Sequence, residues 1–313
     1  MTSPLWTAGH LTVDDVVFAD GRTEMGTIGG AALYAALGAR YAGVAGTVAS
    51  RLGRGFPSAA LDALAAAGIA TAFVAVETPA IHQWALYEAD GSRKYVPHPH
   101  SGGLDDLSPD PAAYRIPSGA FVHVAPMPLA HQRRWCRALA GHRLTLDPHF
   151  DSCGDEAEAV LELVPRVAAF LPSELEIQRL GLNDPVDAVR RFRALGAPVA
   201  AVKLGADGCV LAAGADVWHL PAYPVTVRDV TGAGDAFCGG FAAALATGHD
   251  PLTAARWATA AASFVVETVG SGLGSALRFN QTIDRAAAVV PVRLAGRSDP
   301  PIVRPDTRRN ETV

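Results

Sequence analysis

The sequence predicts an α/β protein: a three-layer α/β/α core around a mostly parallel sheet, with a small β lid at one end. Short runs of strand character, "AFVHVAP" (120–126), "RLTLDP" (143–148), "VAAFLP" (167–172) and "PVAAVKLG" (198–205), alternate with segments apolar at helical spacing, such as "AEAVLELV" and "DAVRRFRAL". That alternation builds βαβ units, whose parallel strands are covered by helices on both faces. Segments 11–28 and 81–98 break it and read as strand pairs around Asp20-Gly21 and Asp90-Gly91, turns that favour hairpins because glycine accepts φ > 0. The expected division is a core of residues 1–10, 29–80 and 99–292, a lid of 11–28 and 81–98, and a loose C-terminal tail of 293–313.

With 313 residues, 50% of them hydrophobic, and a mean hydropathy of +0.19, the chain can bury one large core. Net charge is −5 and the pI is near 6.0, and the arginines are spread along the chain apart from the C-terminal tail, so no basic face offers itself to nucleic acid. Cys136, Cys153, Cys209 and Cys238 show no CxxC or zinc spacing; each lies in or near an apolar run, as a buried thiol does in a reducing cytoplasm. The start, "MTSPLWTAGHLTVDD", lacks a basic n-region and a long apolar h-region, and no window reaches about 18 uninterrupted apolar residues. The expectation is a cytoplasmic protein that acts on a small molecule, away from membranes.

Chemistry concentrates in "DVTGAGDAFCGG" (229–240). Thr226 and Val227 read as the end of an extended stretch; "AFCGGFAAALATG" has the composition of a buried helix ending at Gly248, and Asp250 and Pro251 read as the N-cap and first residue of the next. Gly232, Ala233 and Gly234 therefore form a loop feeding a helix N-terminus. Such a loop can turn several N–H groups toward one point where the helix dipole also favours an anion, and phosphate suits it. Asp235 beside that anion would be repelled as a ligand, so its sensible task is to take the proton from a hydroxyl that attacks a phosphoryl group. The plainer alternative is a helix-start carboxylate behind a tight turn. There is no GxxxxGK[ST] loop, and residues 232–237, G-A-G-D-A-F, lack the third glycine of GxGxxG.

"DVTGAGDAFCGGF" resembles the C-terminal signature of the ribokinase-like, or PfkB, family of carbohydrate and nucleoside kinases, and the resemblance runs in order over roughly residues 5–290. It implies that Asp235 is the catalytic base and that the amides of Gly232, Ala233 and Gly234 form an anion hole for the γ-phosphoryl group. It also implies ATP and Mg2+ as cofactors, and a monovalent cation such as K+ at Asp229 and Thr231 with backbone ligands near Gly270. "TIGGAALYAALGARYAG" is similar to the family's first signature, in which Gly29 and Gly30 let the backbone approach substrate hydroxyls. Asp14, after "GHLTV", matches the family's hydroxyl-binding aspartate, a role that suits a carboxylate because it accepts hydrogen bonds from adjacent hydroxyls. A solvated hairpin residue is the alternative for Asp14.

Three segments depart from the family pattern. Tyr34 stands where many of its sugar kinases carry a substrate-binding asparagine, which puts a ribose or fructose assignment in doubt and leaves Tyr34 as the candidate substrate contact. "ASRLGRGFP" has Arg54 and Gly55 where members often have a Gly-x-Asp segment. "LPSELEIQ" is similar to the Asn-x-x-Glu element that helps hold Mg2+ and phosphate through water: Glu176 keeps the glutamate and Ser173 replaces the asparagine, so magnesium is expected to bind chiefly through the nucleotide. "AVKLGADGCVL" resembles the strand and turn beside the nucleotide. Lys203, one of only two lysines, brings a compact charge near phosphates, while Gly205 and Gly208 shape the turn. Gly270 and Gly272, in the "GSGLG" loop, are placed near the adenine or the cation. His98 and His100 in "PHPH" have no clear third ligand and read as a solvated loop, and Trp84 and Tyr87 either stack on substrate or pack the lid.

The expected function is an ATP-dependent kinase that phosphorylates a hydroxyl of a small polyol, whether sugar, cyclitol or nucleoside, with a first signature nearer the nucleoside and cyclitol branch. The lid is expected to exclude water during transfer. Lids of this family often pair between subunits, so a homodimer through the lid is the expected assembly. The rival class is a non-catalytic PfkB-like sugar- or nucleotide-binding protein that acts through a partner.

Overall fold

Residues 5–88, 93–273 and 279–294 are described in the computed structural model, and among them fourteen strands form two sheets. The strands are β1 (Leu5–Ala8), β2 (Thr12–Val17), β3 (Thr23–Gly29), β4 (Gly46–Arg54), β5 (Ala70–Pro79), β6 (Ile81–Tyr87), β7 (Arg93–Pro97), β8 (Phe121–Val124), β9 (Arg143–Leu146), β10 (Ala169–Phe170), β11 (Val199–Lys203), β12 (Cys209–Ala213), β13 (Asp216–Leu220) and β14 (Val292–Leu294). The wide sheet runs β14-β13-β12-β11-β10-β9-β8-β1-β4-β5. Every pair from β11 to β5 is parallel, and only β12, β13 and β14 are antiparallel.

Side-chain alternation along the strands explains the three layers. Along β11, Ala200 and Val202 join the cluster around Trp135 and Phe192, while Val199 and Ala201 join the cluster around Phe237 and Phe241. Successive residues of a strand point to opposite faces, so a strand apolar throughout must be covered twice. One cover includes the helices Leu129–Ala138 and Pro185–Ala194, whose hydrophobic residues fall on one side; the other includes Ala31–Tyr41, Ala233–Ala246 and Pro251–Val266, apolar nearly all round. The four cysteines lie buried and free. No described helix is long and apolar enough to cross a membrane.

Small residues set the approach of the second group of helices. A Cβ on Gly38 would lie 2.0 Å from the carbonyl oxygen of Ala236, and one on Gly239 would lie 1.8 Å from that of Ala35. The helices Ala31–Tyr41 and Ala233–Ala246 therefore touch backbone to backbone. Asp250 caps the following helix by accepting from the amides of Leu252 and Thr253, with Pro251 at its first position.

The small sheet has the order β3-β2-β6-β7: β2 and β3 form an antiparallel hairpin, β6 runs parallel to β2, and β7 is antiparallel to β6. Gly21, at φ +85°, turns the first hairpin, and its amide bonds the Phe18 carbonyl. Asp90-Gly91, the turn expected for the second, lies outside the described residues. Two expectations need correction. Thr226 and Val227 lie outside any strand, because β13 already ends at Leu220. Arg293 and Leu294, assigned to a loose tail, belong to β14, which completes the sheet edge by pairing with β13; the rest of that tail, 295–313, lies outside the described residues.

Two tests follow from this packing. Alanine in place of a helical glycine gains up to about 1 kcal/mol of propensity, but at position 239 its methyl meets a carbonyl held by another helix. Gly239→Ala should lower stability by about 2 kcal/mol net, measured as a reduced urea midpoint at unchanged slope. The second concerns His123, which lies within the sheet, 0% exposed, with Nδ1 3.0 Å from the Thr145 hydroxyl. Burial, helped by the nearby Lys203 charge, depresses its pKa from 6.5 to about 3. Between pH 7 and pH 5 the unfolded chain takes up this proton and the folded one does not, so stability falls as pH falls, by about 2 kcal/mol for this group. Urea titrations at the two pH values should show a drop smaller by that amount in His123→Gln; an equal drop would refute the assignment.

Candidate active site

The loop before the helix Ala233–Ala246 is built on Gly232, the N-cap, at φ +74°. A Cβ there would lie 2.1 Å from Cγ of the Tyr34 ring, so position 232 needs glycine for both its backbone angle and its space. The first intrahelical bond runs from the Ala236 amide to the Gly232 carbonyl at 2.8 Å, which leaves the amides of Gly234 and Asp235 ahead of the helix ladder at the positive end of its dipole. The Ala233 amide donates to the Val230 carbonyl at 3.3 Å, so it is already engaged inside the turn. Asp235 sits in the first turn, half-buried.

Lys203 comes to the same point from the end of β11. Its Nζ lies 3.6 Å from where a Cβ on Gly234 would be, and 2.5 Å from Oδ2 of Asp147, with the Cys238 sulfur 3.4 Å away. Burial disfavours the ammonium, but Asp147 outweighs it and holds the Lys203 pKa above its ordinary value. Asp147 is 2% exposed, and its Oδ1 has no hydrogen-bond partner among the described groups. A fixed positive charge thus lies under the glycine loop, countered by a buried carboxylate. Asp147 was not singled out from the sequence, yet it follows β9 in "TLDP", at the carboxyl end of a parallel strand, where ligands of such sheets bind.

Asp229, 3% exposed, ties three segments together. Its Oδ1 accepts from the Tyr87 hydroxyl at 2.7 Å and the Thr231 amide at 2.8 Å, and its Oδ2 accepts from the Gly270 amide at 2.9 Å. The Tyr87 hydroxyl also contacts Thr231 Oγ1. Burial alone would raise the Asp229 pKa, but the donors at Thr231, Tyr87 and Gly270 bring it below the usual carboxylate value. Both carboxylate oxygens face N–H or O–H donors, so Asp229 and Thr231 stand here as a hydrogen-bonded tie.

The second part of the candidate site is formed by β2 and the first glycine pair. Asp14 is 4% exposed, on the face of the small sheet that also carries Gln83, whose amide donates to Asp14 Oδ1 at 3.0 Å. It is a buried carboxylate, which sets aside the solvated-hairpin alternative. Gly29 has no room for a Cβ, which would lie 2.2 Å from Asp14 Oδ2; Gly30, at φ +104°, caps the helix Ala31–Tyr41 and packs on the His10 carbonyl. Tyr34 is buried, and burial followed by the charges of Asp229 and Asp14, with smaller contributions from Tyr95 and Asp235, raises its pKa well above the ordinary phenol value. Both halves of the site therefore meet around one side chain.

Glu176 forms a capping box with Ser173: its carboxylate accepts from the Ser173 amide at 2.5 Å, and the Ser173 hydroxyl accepts from the Glu176 amide at 3.4 Å. Serine in place of asparagine thus preserves the cap, and a bridge between Ser173 and Lys203 sets this helix beside β11. Gly205 and Gly208, at φ +60° and +87°, bound the turn after β11, where a Cβ on Gly208 would strike the Leu220 carbonyl. Gly270 approaches Thr27 of β3 as well as Asp229, and Gly272 follows at φ +58°. Trp84 stacks on His98, on the face of the small sheet opposite Gln83.

Residues 12–277 match the pfkB family carbohydrate kinases. The chain is similar to a cytidine kinase of Thermococcus kodakarensis, 29% identical over 248 residues that cover 77% of this chain and 88% of that one. It is also similar to a 1-phosphofructokinase of Haloferax volcanii, 29% identical over 86% of each chain. Its fold superposes with a TM-score of 0.73 on the crystal structure of the Methanocaldococcus jannaschii nucleoside kinase, an archaeal member of the ribokinase family, at 20% identity over 92% of this chain and 99% of that one. With residues 12–277 matched to the family and kinases among its relatives, the chain belongs to the pfkB family of carbohydrate kinases and is a phosphotransferase that acts on a hydroxyl.

Proposed function

We propose that this protein transfers the γ-phosphoryl group of ATP to a hydroxyl of a small polyol, with Asp235 as the base, and that its acceptor is a nucleoside. The observation that carries the reaction is the meeting of the two glycine segments at Tyr34, a buried side chain within electrostatic reach of both Asp14 and Asp235. Asp14 and Gln83 orient the acceptor by hydrogen bonds to its hydroxyls. Asp235 takes the hydroxyl proton as the oxygen bonds to the γ-phosphorus, and the bond from that phosphorus to the bridging oxygen breaks, so ADP leaves with the electron pair. The amides ahead of the helix ladder and the Lys203 ammonium face the charge on the transferred group. Mg2+, bound chiefly through the nucleotide, supplies further neutralisation of the phosphates, and Glu176, fixed by its capping box, is the carboxylate in place to meet its water shell.

The acceptor class rests on the small sheet, read as the lid. Tyr95 on β7 pairs with Ala85 and so shares the face of Gln83 and Asp14; it is 44% exposed there, and a nucleobase would stack on its aromatic face. Tyr34 in place of a sugar-binding asparagine removes a hydroxyl contact expected of ribose and fructose kinases, and the similarity to a cytidine kinase points the same way. The tie from Tyr87 to Asp229 links lid closure to the glycine loop, so that water is excluded where phosphate is held. A cytoplasmic setting and pairing of lids between two subunits accompany this reading.

The test is ADP release with Mg-ATP over a panel of nucleosides, inositols, sugars and sugar phosphates, with and without K+. One nucleoside should turn over well above the rest, and Asp235→Asn should lower kcat by about 10²- to 10⁴-fold with an unchanged circular dichroism spectrum. Equal rates in mutant and parent would remove Asp235 as the base; turnover confined to a sugar phosphate would overturn the nucleoside assignment. Silence across the panel with ATP still bound would favour a non-catalytic binding protein.

A further inference from the structure

On the face of the small sheet turned away from Asp14, three side chains from three strand segments converge on one point. Asp15 follows Asp14 on β2 and is 5% exposed. Its Oδ2 lies 2.9 Å from Nε2 of His82 on β6 and 3.0 Å from Nε2 of His98, just past β7. The His82 contact is a hydrogen bond, whereas Nε2 of His98 is buried and has no hydrogen-bond partner among the described groups, although it lies 3.0 Å from the same oxygen. One carboxylate oxygen thus faces two imidazole nitrogens, one of which it does not satisfy.

The surroundings fix all three groups. The second Asp15 oxygen accepts from the Gly26 amide at 2.6 Å. The two imidazoles stack with centroids 4.0 Å apart, and Trp84 stacks on His98 at 4.5 Å. The His98 amide bonds the His82 carbonyl at 2.9 Å, which locks the two residues across the hairpin. The backbone and Asp15 hold the three residues together, and to share an ion the two stacked rings splay until both in-plane lone pairs meet it. The spacing is close to what a tetrahedral ion needs: bonds of about 2.1 Å put ligand atoms about 3.4 Å apart, so the groups open by a few tenths of an ångström to take it. Two neutral imidazoles and one carboxylate suit a first-row transition ion, while Mg2+ and Ca2+ prefer oxygen.

The geometry points to a site for a divalent transition-metal ion, with Zn2+ as the reference ion, held by Asp15, His82 and His98 behind the acceptor-binding face. The ion replaces the Asp15–His82 hydrogen bond, satisfies His98, and takes water in its remaining positions. It fastens β2 to the β6–β7 hairpin directly behind Asp14 and Gln83, which are the chain neighbours of Asp15 and His82 on the opposite face. The site does not depend on the kinase reading and is distinct from the magnesium that accompanies ATP. The sequence offers His98 with His100, yet His100 is an exposed turn residue at φ +71°, and the second imidazole comes from sixteen positions upstream.

The full chain, stripped with a chelator and freed of it, is titrated with Co2+ by visible absorption and with Zn2+ against a chromophoric competitor. The expected result is one ion per chain, unaffected by excess Mg2+ or by His100→Ala, with affinity reduced more than about tenfold in His82→Gln and in His98→Gln. Zn2+ should raise Tm in the parent and not in these two variants. Absence of saturable binding at about 10 μM Zn2+, or binding retained when both histidines are replaced, overturns the site. Should a variant fail to fold, Co2+ broadening of the His82 and His98 ring resonances in the parent decides: broadening of both supports the site, and broadening of other histidines alone contradicts it.

Discussion

Two helices separated by 191 residues of chain touch with no side chain between them, and the site depends on that contact. Gly38 meets the Ala236 carbonyl, Gly239 meets the Ala35 carbonyl, and one turn away the Tyr34 ring fills the space that any side chain at Gly232 would need. The helix Ala31–Tyr41 begins at the Gly29-Gly30 pair beside Asp14, and the helix Ala233–Ala246 begins at Gly232 beside Asp235. Fixing the distance between the helices therefore fixes the distance between their N-termini. Close packing makes this stiff, because neither helix can shift without opening a void or forcing a clash at a carbonyl.

Charge is arranged around that frame so that each buried ion has a stated partner. Lys203 is held by Asp147 beneath the glycine loop, and Asp229 is surrounded by donors from β6, the glycine loop and the Gly270 segment. These two carboxylates do different work. Asp147 keeps a positive charge beneath the glycine loop, and Asp229 joins the small sheet to that loop. A buried ionic pair of this kind gives little net stability, since desolvation offsets attraction; its contribution is to place a charge in a fixed position before substrate arrives.

Much of this was legible in the chain. The alternation of "AFVHVAP", "RLTLDP" and "PVAAVKLG" with helical segments gave the parallel sheet, and Asp250-Pro251 marked a helix start to the residue, because caps are local. The glycine loop was legible because its demand for φ > 0 at the head of an apolar helix is written in consecutive residues. What stayed hidden was pairing across distance. Asp147 lies 56 positions from Lys203, and Tyr87 lies 142 from Asp229, so nothing local marks either pair. His98 was read beside His100, its neighbour in sequence, whereas strand pairing sets it against His82 and Asp15. Tyr34 also packs its ring on Gly232, a contact that only the helix–helix approach creates.

The most direct test of the arrangement is a crystal structure of the protein with Mg2+, a non-hydrolysable ATP analogue and the acceptor found by turnover. The account predicts the γ-phosphate at about 3 Å from the Gly234 and Asp235 amides, and the Asp235 carboxylate at a similar distance from the acceptor hydroxyl, with Asp14 on the acceptor's far side. A γ-phosphate bound away from the Gly232 loop, or an acceptor hydroxyl nearer another base than Asp235, would contradict it.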